Sequence, residues 1–421
     1  MIKRSFFALS KPRLTYDLLD PHPDEPQAIP LPDRIALLLA DTIDSTRPAL
    51  IKKGTPVKKG QKLALYMDST AYAISPVAGT IKLIDNYSDD FGKIGTCITI
   101  APDPKKASDI EPLDISEEIS FAALHLQKLP GAPPFDILAD AQYNIRTIVI
   151  TGADTDLLTT TSQYVSTTHA RNLEQGAKIL KRLTNISRIC ITLPEPLNNQ
   201  VQFDSLQVLN TGSVYPDTLP AMVMKDHLDM VLPAGKTPED MGICFIRAEA
   251  VVSLGKTFET KALDFDKQLT LVDKTGNRHR VKAVIGTPLS SIFRQLDIQV
   301  NGMDRIIIGG PMRGTAVFTI HHPVTPDMDT VVIQDREILP IISDTPCVNC
   351  GKCIQICPAR IQVNLLVRFL EVDQYEEAAD KYDLEACIEC GLCSYVCTAQ
   401  IALGQYIRLG KHELRKLRAD V

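Results

Sequence analysis

Residues 347–358 read CVNCGKCIQICP and residues 387–398 read CIECGLCSYVCT. Each run is spaced C-x2-C-x2-C-x3-C. Three thiolates in so tight a loop can wrap one iron–sulfur cubane, and the fourth cysteine then lies too far along the chain to join them. Structural zinc also uses C-x2-C pairs, but it needs four ligands. Here a third regularly spaced cysteine and then a fourth occur twice over. Gly351 and Gly391 follow the second cysteine of each run, where the backbone must turn tightly beneath a sulfur.

The spacing resembles that of bacterial two-cluster ferredoxins, in which the fourth cysteine of one run serves the other cluster. That resemblance implies two [4Fe–4S] clusters. Cys347, Cys350, Cys353 and Cys397 would hold the first, and Cys387, Cys390, Cys393 and Cys357 the second. Pro358 follows Cys357 as in the ferredoxin signature, whereas Thr398 stands where the second proline would be.

The chain has 421 residues, 44% of them apolar, a net charge of −6 and a pI near 5.8. That length suggests two to four domains, and the charge gives no reason to expect a nucleic-acid partner. The three cysteines outside the runs, Cys97, Cys190 and Cys244, lie in short β-like apolar segments and are expected to be buried, inert thiols. Thiolates and oxygen-sensitive clusters fit a reducing compartment. Met1–Ser10 carries two basic residues and FFAL without a long apolar core, so a secretory leader is not expected. No stretch approaches the roughly 20 apolar residues of a membrane-spanning helix.

Ahead of the runs, Pro21–Pro32 reads as a loop. Residues 49–85 then read as short β-runs divided by turns at Lys58-Lys59-Gly60-Gln61 and Pro76-Val77-Ala78-Gly79. The stretch 102–134 carries charges and scattered prolines. After it, TIVITG (147–152), ARNLEQGAKILKRL (170–183) and RICITL (188–193) read as strand, helix and strand, the order of a parallel α/β unit. Asp154 follows the first of these strands, where α/β proteins place ligands. LTLVDKTGNRHRVKA (269–283) reads as a hairpin. GTPLSSIFRQL (286–296) opens a helix with Thr287 as its cap and Pro288 in its first turn. RIIIGGPMRG (305–314) is a strand entering a glycine-rich loop, expected to be a tight turn packed near the clusters. Between the runs, Leu365, Leu366, Phe369, Leu370 and Val372 recur at helical spacing. The tail carries Arg408, Lys411, Arg415, Lys416 and Arg418, either as a solvated helix end or as a docking surface for an anionic partner or membrane.

This order of parts, with PVAGTI, IGTPLSSIF and IIIGGPMRG ahead of two cluster runs, resembles the RnfC family, peripheral iron–sulfur subunits of Rnf-type electron-transport complexes. The resemblance implies a multidomain α+β and α/β chain. Its parts would be a β-rich, lipoyl-like barrel-sandwich over 1–110 and a Rossmann-like α/β domain similar to the complex I flavin subunit over 111–255. A β-grasp SLBB domain over 256–335 and an α-helical two-[4Fe–4S] ferredoxin domain over 336–421 would follow. It further implies an electron-transfer subunit without substrate chemistry of its own, placed peripherally on the cytoplasmic, inner face of the cell membrane. Partners would be the membrane subunits of an Rnf-like complex and a soluble or membrane redox protein.

The alternative is an NADH-oxidising, FMN-binding subunit of the same kind of complex, and the middle of the chain departs from that pattern. The GGAGFPT-like loop of NADH-oxidising relatives appears as KLPGAPPFDIL (128–138). There Pro133 and Pro134 remove backbone donors that a phosphate would need. The ECEP-like element appears as GADTDLLTT, whose carboxylates are Asp154 and Asp156. The YPQGGE-like loop appears as VYPDTLPAM (214–222) without its glycines. These departures weigh against FMN and NADH, and the fold is expected to survive without that pocket.

Overall fold

The computed structural model describes residues 12–89, 91–339, 342–343 and 345–419; the expectation for Met1–Ser10 falls outside them. The N-terminal part is built from short strands. Within Pro21–Pro32, read from the sequence as loop, Gln27–Ala28 forms strand β1. Strand β2 (Ile35–Leu39) buries Ile35, Leu37 and Leu39 on one face, the period-two signature of a half-covered strand. Then come β3 (Pro56–Val57), β4 (Lys62–Leu63), β5 (Ala73–Ile74), β6 (Gly79–Ser88) and β7 (Ile94–Pro102). They form a sheet ordered β2-β7-β6-β3 and a separate β4-β5 pair. Leu63, Ile74, Ile81 and Ile98 share one core. Cys97 on β7 is half-buried, because it falls on the less covered face of its strand, while Cys190 and Cys244 are buried.

Two short helices, α1 (Ile119–His125) and α2 (Phe135–Ala139), lead into the α/β part. Strand β8 (Thr147–Thr151) is followed by α3 (Thr161–Thr168) and α4 (Ala170–Thr184), then β9 (Arg188–Pro194), α5 (Glu195–Asn198) and β10 (Gln207–Thr211). Helix α6 (Pro220–His227), β11 (Ile243–Arg247) and α7 (Ala248–Thr260) complete it. The sheet β10-β9-β8-β11 is parallel throughout. Its central strands are near-continuous apolar runs, as strands covered on both faces must be. The strand–helix–strand reading of 147–193 holds. Helix α3 was not legible, because TSQYVSTT lacks an apolar stripe. What starts it is tertiary: the Asp154 carboxylate accepts the first-turn N–H groups of Ser162 and Gln163 at 2.8 and 3.2 Å.

The third part pairs β12 (Asp266–Val272) with β13 (Arg278–Val284) as the expected hairpin. Helix α8 (Leu289–Gln295), β14 (Arg305–Ile308), β15 (Thr315–Val317) and β16 (Thr330–Gln334) complete a six-stranded mixed sheet, β1-β13-β12-β16-β14-β15. Strand β1 adds to its edge, parallel to β13. Thr287 does not cap α8. Pro288 holds the cap position, while Thr287 is buried and its carbonyl accepts the Val324 N–H at 2.9 Å. The two sheets are tied by buried charge. Lys267 on β12, with no exposed surface, pairs with Glu249 on α7 and with Asp329 at 3.2 Å, and Arg247 Nε donates to Asp329 at 2.9 Å.

The last part is helical: α9 (Lys352–Ile356), α10 (Val363–Leu370), α11 (Tyr375–Tyr382), α12 (Leu392–Val396) and α13 (Leu403–Ala419). It is an internal repeat that escaped the sequence reading. Helices α9 and α10 recur as α12 and α13, and left-handed residues fall at matching places: Asn349 with Glu389, Gly351 with Gly391, and Arg360 with Gln400. The buried stripe of α10 is Val363, Leu366, Val367 and Leu370; Val372, expected on that face, lies beyond the helix and is exposed. In the basic tail Arg415, Lys416 and Arg418 are exposed, and most of its cations also have partners within the chain. Arg408 donates to the carbonyls of Arg313 and Gly314, Lys411 to the Cys387 carbonyl and Glu389, Lys416 to Glu413, and Arg418 to Glu385. Among the described residues no helix is long and apolar enough to cross a membrane.

Candidate functional site

Each cysteine run folds as a loop that enters a one-turn helix carrying its third cysteine. Gly351 and Gly391, both at φ +72°, make the turn beneath the sulfurs. A cavity between the two halves is lined by Cys347, Cys350 and Cys353 together with Cys397 and Thr398 of the other run. Conversely, Cys357 lies within electrostatic reach of Cys387, Cys390 and Cys393. The fold thus brings Cys397 near the first trio and Cys357 near the second.

Donors already surround these sulfurs. Thr398 Oγ1 donates to Cys350 Sγ at 3.3 Å, Glu389 N to Cys387 Sγ at 3.4 Å, and Ile401 N to Cys397 Sγ at 3.4 Å. Burial pushes the Cys393 thiol up to about 12 and the Cys390 thiol up to about 11, and neighbouring sulfurs add to the rise. Free thiols here would be protonated; bound to iron they are thiolates, which the same N–H and O–H donors stabilise. Among the described residues no three His, Cys, Asp or Glu side chains crowd onto one point as ligands of a single ion do. Ligands of a cubane sit at its separate corners. The residues fit two cubanes.

The two halves have unequal surroundings. Cys350 is exposed, and a Cβ added at Gly351 would meet nothing within 4 Å. Cys390 is buried, and a Cβ at Gly391 would lie 2.5 Å from the Met312 carbonyl oxygen. The glycine-rich loop after β14 therefore does pack against the second run. Tyr215 reaches the same place from the α/β part and donates its hydroxyl to the Cys390 carbonyl at 2.7 Å. Sequence reasoning missed Tyr215 and Met312 and named Lys411 only as a tail charge; the contacts of all three here are long-range. It noted Thr398 only as a missing proline, although a hydroxyl beside a cluster cysteine is a ready donor to sulfur.

A second cavity, of about 470 Å³, opens at the C-terminal ends of β8 and β11 and is lined by Pro134, Asp154, Asp156, Arg247, Gly310 and Arg313 among others. This is where an α/β fold places a ligand. Two groups of backbone N–H donors beside it are taken by the chain itself. Asp154 occupies the N-terminus of α3. Asp156 accepts from the loop N–H groups of Met312 at 3.2 Å and Arg313 at 2.7 Å, and its carboxylate fills the space beside Gly310. Burial pushes the Asp154 carboxyl up to about 6, against the pull of the Ser162 and Gln163 hydrogen bonds. A flavin phosphate would have to displace a carboxylate at either place. Those two places do not fit a phosphate, although Arg247 and Arg313 also line the cavity.

Comparison with known proteins places these features. Residues 346–401 match the 4Fe-4S dicluster domain and residues 23–105 the RnfC barrel sandwich hybrid domain. Over a 444-residue alignment the chain is 26% identical to a subunit of the ion-translocating oxidoreductase complex of Edwardsiella ictaluri, covering 98% of this chain and 55% of that protein. It is 24% identical to a subunit of the proton-translocating ferredoxin:NAD(+) oxidoreductase complex of Clostridium ljungdahlii, covering 92% and 89% respectively. An NAD+-reducing [NiFe]-hydrogenase chain aligns at 11% identity with a TM-score of 0.45, covering 72% of this chain and 61% of that one. The chain spans about half the length of several of the curated relatives it matches.

Proposed function

We propose, from the matches to the RnfC barrel sandwich hybrid domain over residues 23–105 and to the 4Fe-4S dicluster domain over residues 346–401, that this chain is an electron-relay subunit of a membrane-associated Rnf-type complex. Cys347, Cys350, Cys353 and Cys397 would hold one [4Fe–4S] cluster, and Cys387, Cys390, Cys393 and Cys357 the other. The observation that carries this is the crossing of the two runs, with Cys397 beside the first trio and Cys357 beside the second. Crossing ties the clusters into one rigid unit, so that an electron arriving at either finds the other as its neighbour.

The clusters supply the one-electron chemistry. The chain's own part is to hold the thiolates, to donate hydrogen bonds to them, and to set how much water reaches each cluster. In this reading residues 1–110, 111–255, 256–335 and 336–421 are four domains, the second Rossmann-like and the third of the SLBB β-grasp type. Its partners are membrane subunits of the complex and a redox protein, and its place is the cytoplasmic, inner face of the membrane. Attachment rests mainly on protein contacts, with the exposed Arg415 and Lys416 contributing an electrostatic part, while Arg408 and Lys411 are engaged within the chain. NADH oxidation through FMN is disfavoured by the self-filled groups of N–H donors near Asp154 and Asp156.

Two measurements test the proposal. Anaerobic protein should contain about eight iron and about eight acid-labile sulfide per chain. Co-expressed with its neighbouring membrane subunits, it should sediment with membranes. Bound zinc without sulfide, or a wholly soluble protein in that co-expression, rejects it.

A further inference from the structure

The repeat supplies an internal control, because the two cluster half-sites share one backbone and differ in what covers them. Over the second, Tyr215 is 3% exposed and donates to the carbonyl of Cys390. Over the first, the matching cysteine, Cys350, is exposed, and its sulfur instead accepts the Thr398 hydroxyl.

Tyr215 is tightly held. Its backbone N–H donates to the Leu14 carbonyl, Tyr16 N–H donates to the Ser213 carbonyl, and Val214 bridges Thr15. The Tyr16 ring packs on the Tyr215 ring with centroids 5.4 Å apart. Thr218, three residues on, donates its hydroxyl to the Asp154 carbonyl at 2.8 Å. Leu219, Ile356, Cys390 and Leu392 share a buried apolar cluster with Tyr215. A phenol so fixed keeps one hydrogen bond, and that bond ends on the backbone carbonyl of a proposed cluster-ligating residue. Apolar packing alone would be served equally well by phenylalanine.

We propose that Tyr215 is a positioning residue that raises the reduction potential of the second cluster relative to what its buried site would otherwise give. This deepens the electron-relay reading and rests on it. A cluster becomes more negative on reduction. The Cys390 carbonyl belongs to a residue proposed to ligate that cluster, and the Tyr215 hydroxyl offsets the negative end of its dipole. Water can do the same at the exposed first cluster, but not here. The α/β part thereby acts on the relay.

The test uses the full chain, purified anaerobically, with potentials read by redox titration under electron paramagnetic resonance. Tyr215→Phe should keep two clusters, lower the potential of one and leave the other unchanged. Thr398→Val, which removes the donor to Cys350, should lower the other one instead. Replacing Tyr215 by 3-fluorotyrosine, a stronger donor of the same shape, should raise the potential that Tyr215→Phe lowers. Should Tyr215→Phe fail to assemble the second cluster, the fluorinated protein decides alone. The proposal is overturned if fluorination shifts neither potential, or if Tyr215→Phe moves both equally or moves the one that Thr398→Val moves. Zinc in place of iron and sulfide in the wild type is a separate outcome, read from metal analysis, and rejects the relay reading beneath it.

Discussion

Thr398 Oγ1 donates to Cys350 Sγ at 3.3 Å, joining two residues 48 positions apart in the chain. The contact is possible only because the segment following Cys397 lies against the first cysteine loop. It is therefore a marker of the crossed arrangement. The same residue explains a departure from the ferredoxin signature: a proline at 398 could not donate to sulfur.

The buried Lys267 offers a test of how the two sheets are held. Its ammonium, fully enclosed, is matched by Glu249 and Asp329, and Asp329 is shared with Arg247. Lys267→Met should destabilise the protein by about 3–5 kcal/mol, because removing one member of a buried ion pair leaves uncompensated charge. The double variant Lys267→Met with Glu249→Leu should recover much of that loss, since Arg247 still pairs Asp329. Denaturant unfolding of the three proteins measures it.

Much of this was legible in the sequence, and what was not has a common physical cause. The cysteine spacing, the 269–283 hairpin and helix α4 are set by local pattern, and they appear as read. Helix α3, strand β1 and the true start of α8 depend on distant partners, Asp154, Val281 and Val324 among them. That Arg408 and Lys411 are held by partners elsewhere in the chain was not legible, because charge is visible in a sequence and its partners are not. At the candidate site the ligand types were legible. The unequal covering of the two halves was not, because Tyr215 and Met312 come from other parts of the chain.

Flavin content should be absent at stoichiometric level, and NADH should not bleach the cluster absorbance of purified protein. The reason is steric and electrostatic: Asp154 and Asp156 already hold the N–H groups a phosphate would use. Removing one carboxylate, as in Asp156→Ala, should raise the weak affinity of the cavity for inorganic phosphate, seen by calorimetry. One FMN per wild-type chain would contradict this.

His169, between α3 and α4, should give the protein an acid-sensitive limb. Burial holds its imidazole down to about 4, with Lys256 and Lys282 adding to the effect, and Gln268 lies 3.0 Å from its Nε2. The folded state favours the neutral ring. Its contribution is complete above the ordinary value near 6.5 and is lost as pH falls from there towards 4. After allowance for partial exposure the loss is about 2 kcal/mol. His169→Gln should flatten the stability curve over that window and leave it nearly unchanged above pH 7.

The crossed ligation itself is reached most directly by comparing residual spectra. Cys390→Ala should lose the second cluster and Cys350→Ala the first, leaving two different electron paramagnetic resonance signals. Cys357→Ala is the deciding protein, because Cys357 belongs to the first run by sequence and to the second group of four in the proposed ligation. A residual signal matching that of Cys390→Ala is the expected result; one matching that of Cys350→Ala would contradict the account.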